Sequence, residues 1–143
     1  MEPSALIGGV DLFLDSNVLL YAAGGRAQAP EKHARAVEVL QMEFGLSAQV
    51  LAEFYANAVR KGPKPLAPEV ARQWVINLAK KPCLPVDVNI VRSGIEISQR
   101  YQISYWDGAI IAAAERLGAK TLYTEDLGDG QLYGSVKVVN PFL

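Results

Sequence analysis

Carboxylates are the side chains of this sequence best suited to chemistry, because histidine and cysteine are almost missing. The 143 residues include one histidine, His33, and one cysteine, Cys83. A Ser–His–Asp triad, a thiolate–imidazole pair or a His-rich zinc site needs more of these residue types than the chain supplies. Acid–base or metal chemistry must therefore rest on aspartate and glutamate.

Acidic residues follow two predicted strands. Asp15 comes directly after the apolar run Val10–Leu14, and the pair Glu125–Asp126 comes after Lys120–Thr124. Because ligands of a parallel sheet collect beyond the carboxyl ends of its strands, we expect these acids at one edge. Asp107 lies in the first turn of the predicted helix that leads into the strand Lys120–Thr124, and it can face the same edge of the sheet. Each acid also has a structural interpretation, as a helix cap, a first-turn acid or a solvated turn acid.

Glu53 is ambiguous on its predicted helix. On a helical wheel it lies about 115° from the centre of the apolar face that begins at Val50. A solvated helix face and a fourth acid of a site are both compatible with that position. Arg60, on the same side of the helix, is a candidate for holding phosphate, and periodicity does not decide between the two interpretations.

Several carboxylates in one place favour a divalent ion. Without a neutralising cation they repel one another, which raises their pKa values. Oxygen-only ligands suit Mg²⁺ or Mn²⁺, which polarise phosphoryl oxygens and activate water. The chain has 14 Lys and Arg against 15 Asp and Glu, so it lacks a broad cationic field for nucleic acid. A polyanionic substrate would have to be held through the metal and by local basic residues.

The elements that must position these acids alternate between strands and helices. This order predicts an α/β fold: a small central parallel β-sheet flanked by helices on both faces, with an added helical hairpin in the helix-rich middle, residues 30–101. We expect one domain over residues 1–143, of which residues 1–9 are a short N-terminal extension. A lone cysteine and the lack of an apolar run near ~20 residues indicate a reducing, cytoplasmic location and no membrane span.

Cap and breaker residues set the predicted helix boundaries. Asp15, Ser16 and Asn17 are good caps for the helical run Val18–Ala23. Pro30 opens the next helix, which the sequence predicts to end at Gly45. Its apolar face is predicted to contain Ala34, Val37 and Leu40. The other predicted helices begin at Ser47, Pro68, Asp87 and Ser104.

Four stretches of the sequence resemble PIN-domain ribonucleases, most of all the toxin subunits of type II toxin–antitoxin pairs. They are LFLDSNVLLYA (Leu12–Ala22), QVLAEFYANAVRK (Gln49–Lys61), ISYWDGAIIAAAERLGAKTLYTEDLGDGQ (Ile103–Gln131) and VKVVNPF (Val136–Phe142). Their order and spacing agree with the family over nearly the whole chain. The resemblance implies a PIN-like fold and hydrolysis of RNA phosphodiester bonds with Mg²⁺ or Mn²⁺.

The resemblance also assigns the site residues. It implies that the catalytic and metal-binding acids are Asp15, Glu53, Asp107 and Asp126. Positions that often support the family's pocket are matched by Asn17 and Thr124, and Asp129 is a candidate for a further acid at the rim. The partners implied are an RNA substrate, a second copy of the chain in a homodimer and a small antitoxin protein that covers the pocket.

Contacts to RNA are assigned from residue types alone. The candidates for the RNA backbone are Arg26, Arg60, Lys61 and Lys64. The candidates for stacking on bases are Tyr21, Tyr55 and Trp106, each of which has core packing as its ordinary role. A catalytically inactive PIN-like binding protein is a second interpretation of the chain. A receiver-type signalling module is a third, although that module would want a second acid where Ser16 stands.

Overall fold

The computed structural model describes residues 10–60 and 64–143. The predicted N-terminal extension and the predicted RNA contact Lys61 lie outside these ranges. In the described ranges the elements are, in chain order, β1 (Leu12–Leu14), α1 (Ser16–Gly24), α2 (Pro30–Val39), β2 (Leu46–Ser47), α3 (Ala48–Ala58), α4 (Pro68–Leu78), β3 (Cys83–Leu84), α5 (Val88–Tyr101), α6 (Tyr105–Arg116), β4 (Thr121–Tyr123), β5 (Leu132–Tyr133) and β6 (Val136–Val139).

Parallel strands form the centre of the molecule, as the sequence predicts. One sheet has the order β1-β4-β6-β5, in which only β5 runs antiparallel to its neighbour. A second parallel pair, β2-β3, lies beside β1. Gly45 joins the two sheets, because its N–H donates to the Leu12 carbonyl at 2.8 Å and its carbonyl accepts from the Leu14 N–H at 3.2 Å. The predicted α/β class is thus confirmed.

The prediction for α2 is wrong at its end and on its face. The helix ends at Val39 instead of Gly45, and its buried residues are Ala36 and Val39. Val37, predicted to be buried, is 40% exposed. Gly45 has a different role, since a Cβ there would lie 2.9 Å from the Leu117 side chain. The missing side chain lets the backbone come close enough to pair with β1.

Local caps are found where the sequence predicts them. Asp15 accepts a hydrogen bond from the Ser16 N–H, and Ser47 accepts one from the Val50 N–H. Asp87 and Ser104 begin α5 and α6 in the same way. The consecutive helices α3 and α4 pack together in the helix-rich middle, where the rings of Phe54 and Trp74 lie 6.2 Å apart. No helix in the described part of the chain is long and apolar enough to cross a membrane.

The helices α5 and α6 approach each other through glycine. A Cβ at Gly108 would lie 2.5 Å from the Gly94 carbonyl oxygen and 2.9 Å from the Ser98 nitrogen, both backbone atoms. Seven consecutive residues of α6, Gly108–Ala114, are buried, so this helix passes through the core. The close crossing therefore fixes the helix that carries Asp107 at its start.

Gly108→Ala is expected to lower the free energy of unfolding by about 1–3 kcal/mol, the usual cost of overpacking a core. The added methyl group meets backbone that cannot rotate away. Gly24→Ala is the control, because a Cβ at that position would have no atom within 4 Å. Urea unfolding followed by circular dichroism measures both variants. Equal stability of the two would contradict the proposed close crossing.

Candidate active site

Asp15 lies where β1 passes into α1 and is almost fully buried, with 4% of its surface exposed. Its Oδ1 accepts a hydrogen bond from the Ser16 N–H at 2.7 Å, so it is the cap that the sequence predicts. Its Oδ2 accepts a second bond from the Thr124 hydroxyl, also at 2.7 Å. Thr124 directly follows β4, the strand next to β1. The carboxylate thus spans the carboxyl ends of two neighbouring strands.

Asn17 and Thr124 connect Asp15 to Asp126. The Asn17 Nδ2 donates to the Thr124 hydroxyl and to Asp126 Oδ2, each at 3.1 Å. The Thr124 Oγ1 also accepts from the Asp126 N–H at 3.1 Å. This network holds two acids from segments more than 100 positions apart in one place.

Glu53 extends from α3 toward the same place and is half-buried. Its Oε1 accepts from the Ser16 hydroxyl at 3.4 Å, and its Oε2 accepts from the Gln49 side-chain amide at 3.1 Å. Ser16 is the first residue of α1, next to Asp15. Glu53 therefore does not lie on a plain solvated helix face, and its role as a fourth acid of a functional site stays a prediction.

Asp107 occupies the first turn of α6, where its N–H donates to the capping Ser104 hydroxyl at 3.1 Å. Burial raises the pKa of its carboxyl group, and the nearby Asp126 raises it further. The amino ends of α1 and α6 carry Asp15 and Asp107, and helix amino ends carry a partial positive charge. The helix dipoles thus offset only part of the cost of ionising these carboxylates, since the pKa values of both are raised.

The four acids share one electrostatic environment. Burial raises the pKa of Asp15 to about 6, the Thr124 and Ser16 hydrogen bonds oppose that rise, and Glu53 and Asp126 add to it. The pKa of Glu53 is also raised, first by burial and then by Asp107 and Asp126. Mutual repulsion of this kind is relieved by protonation or by a cation. A place for positive charge is therefore built into this edge of the sheet.

The donor chemistry fits a hard divalent ion, but the acids are not assembled around one position. Among residues 10–60 and 64–143, no group of three or more His, Cys, Asp or Glu side chains is close enough to hold a metal. The Asn17 Oδ1 is buried without a hydrogen-bond partner among these residues, although its amide nitrogen donates to the network. An unpaired buried acceptor is costly unless a donor or a cation reaches it.

The other predicted site residues lie apart from this network. Asp129 Oδ1 accepts from the Asn140 N–H at 2.8 Å, so it fixes the end of β6. Arg60 is exposed, and its Nε donates to the Ala56 carbonyl of its own segment at 3.3 Å. Arg26 is exposed in the turn after α1. Their assignment to the rim or to RNA stays a prediction.

Two residues that hold the site have no role in the sequence-based assignment. Ser16 and Gln49 bind the two carboxylate oxygens of Glu53. The signal for Gln49 is its position four residues before Glu53, which places both on one side of the helix. Glu125 turns to the other side of its loop, where it accepts from Tyr21 at 2.8 Å and pairs with Lys32 at 2.9 Å.

Solved structures that share the fold of this chain include the following three. VapC20 of Mycobacterium tuberculosis, a toxin that cleaves the sarcin–ricin loop, superposes with a TM-score of 0.65 at 16% identity, over 80% of this chain and 89% of that one. FitAB bound to an IR36 DNA fragment superposes with a TM-score of 0.65 at 26% identity, over 92% of this chain and 96% of that one. A toxin–antitoxin complex from Klebsiella pneumoniae superposes with a TM-score of 0.68 at 18% identity, over 91% of this chain and 97% of that one.

Comparison by sequence adds a family. No protein with a curated description matches the chain. The model of the PIN domain, however, matches residues 12–128, which begin at β1 and extend past Asp126. The match includes all four acids and the residues that connect them. This chain therefore belongs to the PIN domain family.

Proposed function

We propose that the chain is a divalent-metal-dependent ribonuclease that hydrolyses RNA phosphodiester bonds, and that it is the toxin of a type II toxin–antitoxin pair. The observation that carries this proposal is the shared environment of Asp15, Glu53, Asp107 and Asp126, four acids from separate segments. Membership of the PIN family and the toxins among the structural neighbours support it.

The four acids would hold Mg²⁺ or Mn²⁺, which when bound lowers the pKa of water and stabilises charge on phosphate oxygens. The protein's own contribution is to orient the ligands. Thr124 and the Ser16 N–H fix the Asp15 carboxylate, and Asn17 fixes Asp126. Supporting hydrogen bonds of this kind keep carboxylate ligands oriented.

A water molecule that attacks the phosphate needs a base or an acceptor beside it. Glu53 and Asp126 are the two candidates for that position. Attack of water on phosphorus, with the P–O3′ bond breaking and the 3′ oxygen leaving, gives a 5′-phosphate and a 3′-hydroxyl. Arg26, Arg60 and Lys64 are the described basic residues proposed to contact the RNA backbone.

The proposed partner is a small antitoxin protein. Its basis is the structural neighbours, among which a toxin–antitoxin complex superposes over nearly the whole chain. A homodimer, a single domain over the whole sequence and a cytoplasmic location remain predictions from the sequence. PIN family membership excludes the receiver-type module as an interpretation of the fold.

The purified chain is expected to cleave RNA in Mn²⁺ and to leave it intact in excess chelator. Sequencing with and without prior phosphatase and kinase treatment identifies the ends, which should be 5′-phosphate and 3′-hydroxyl. Asp11→Asn serves as a control for general loss of negative charge, because Asp11 is exposed at the opposite end of β1.

Two results would contradict the proposal. Cleavage that is equal in chelator and in Mn²⁺ would remove the metal from the mechanism. RNA binding without cleavage in either condition would favour the catalytically inactive binding protein.

A further inference from the structure

Trp106 is an exposed aromatic residue that comes directly before one of the acids in the chain. It precedes Asp107 in the first turn of α6, and 61% of its surface is exposed. The other tryptophan, Trp74, packs against Phe54 between α3 and α4. Large aromatic side chains usually gain stability by burial, and an indole left in solvent is free to contact a ligand.

The position of Trp106 is fixed by contacts to the site itself. The Gln49 Nε2 donates to the Trp106 carbonyl and to Glu53 Oε2, each at 3.1 Å. One amide thus sets the distance between the tryptophan backbone and a proposed ligand acid. The indole packs edge to face with the Tyr105 ring, with centroids 5.0 Å apart and planes at 72°. This contact orients the ring and leaves most of its surface free.

Charge alone gives this site little attraction for RNA. The chain carries a net charge of −1, and four acids lie at the site. Contacts to phosphate groups would also not distinguish single-stranded RNA from duplex RNA. Stacking of a base on an aromatic ring needs no positive charge and is open to every base, because every base has a π-face.

We propose that Trp106 is a stacking platform for an unpaired base of the RNA. In a duplex both faces of a base are covered by its neighbours, and an indole can reach only a base that is unstacked. This inference rests on the proposed ribonuclease function, because it assumes that RNA lies across the acids.

Binding is measured first, in excess chelator, so that no cleavage occurs. The first probe is a fluorescein-labelled unpaired RNA of about eight nucleotides, within the usual length of a single-strand site. The second probe is the same strand annealed to its complement. The third is a series of such strands in which one abasic position is moved along the sequence. Trp106→Ala is expected to weaken binding of the unpaired RNA about 5- to 150-fold, the usual range for loss of one stacked base. Trp106→Phe, which keeps a ring, should restore binding to within about threefold of wild type.

Two controls isolate the indole. Leu132→Ala removes another apolar side chain of similar exposure, 60%, from β5, and should leave RNA binding unchanged. In Trp74→Phe the only remaining tryptophan is Trp106, and its fluorescence should be quenched by unpaired RNA and not by duplex. One abasic position should abolish the difference between wild type and Trp106→Ala.

Cleavage in Mn²⁺ then separates this inference from the proposed function. One outcome supports both the proposed function and the stacking role. In it, the wild type cleaves unpaired RNA, and Trp106→Ala loses kcat/KM by the same factor as it loses affinity. Wild type that cleaves no RNA overturns the proposed function. Cleavage and binding that are unchanged in Trp106→Ala overturn the stacking role alone. If Trp106→Ala cleaves RNA as the wild type does but no longer binds a protein partner, the indole belongs to a protein interface. That result would also overturn the stacking role.

Discussion

Asp107→Asn is expected to reduce Mn²⁺-dependent RNA hydrolysis by more than about 100-fold. Loss of a residue that only orients a metal ligand costs about 10- to 100-fold, so loss of a ligand should cost more. The variant should fold normally, because the backbone N–H of residue 107, which asparagine keeps, still donates to the Ser104 cap. Initial rates on a labelled RNA, measured at saturating Mn²⁺, give the effect on kcat.

A graded series makes this result specific. Thr124→Val removes the hydroxyl that donates to Asp15 and should lower the rate about 10- to 100-fold, less than the loss of an acid. Asp11→Asn should have no effect. Asp107→Asn at wild-type rate would exclude this carboxylate from the mechanism, and an equal loss in Asp11→Asn would show that net charge is the cause.

In chelator, stability is expected to fall as the pH rises from about 4 to about 7. The pKa of Asp15 is about 6 in the folded protein, against an ordinary value of 3.8. Between these values the folded state binds more protons than the unfolded state, so stability decreases with increasing pH. Full ionisation of this one group costs on the order of 3 kcal/mol. The difference between wild type and Asp15→Asn isolates its contribution in thermal unfolding across this pH range.

Mn²⁺ should reverse that loss at pH 7. A ligand at about 100 times its Kd stabilises the folded state by about 2.7 kcal/mol, which corresponds to a rise in Tm of roughly 5–10 °C for a chain of this size. Asp15→Asn should show a much smaller rise. A Tm that is independent of pH and of Mn²⁺ in the wild type would contradict repulsion among the acids.

The parts of the fold that are predictable from sequence are those that local residues decide. Ser47, Asp87 and Ser104 each satisfy an N–H of the helix that follows, which requires no knowledge of the rest of the chain. The same holds for Asp15, which is both the predicted cap of α1 and a member of the acid group. The cap is confirmed, and the role of the same carboxylate as a metal-binding and catalytic acid stays a prediction.

Long-range packing decides the parts where prediction fails. The strands β2 and β5 have two residues each, too few to show a periodic pattern. The buried face of α2 depends on the helices and strands around it, which is why the prediction for Val37 is wrong. Glycine is a residue type that often ends helices, which is why Gly45 is predicted to end α2. Its actual role, to let the backbone pair closely with β1, depends on the approach of Leu117, more than 70 positions away.

The acid group shows the same division. Periodicity leaves Glu53 undecided, and contacts with Ser16 and Gln49 place it beside Asp15. Core packing is the ordinary role of a tryptophan such as Trp106, but 61% of its surface is exposed. No local pattern indicates that exposure, since it depends on what the rest of the chain leaves uncovered.

Anomalous diffraction from crystals soaked in Mn²⁺ would show whether the four acids hold a metal ion together. We expect a manganese peak bound by carboxylate oxygens of Asp15, Asp107 and Asp126 or Glu53, with no such peak in crystals of Asp107→Asn. Manganese bound elsewhere on the chain, with these four side chains unchanged at saturating metal, would contradict a shared metal site.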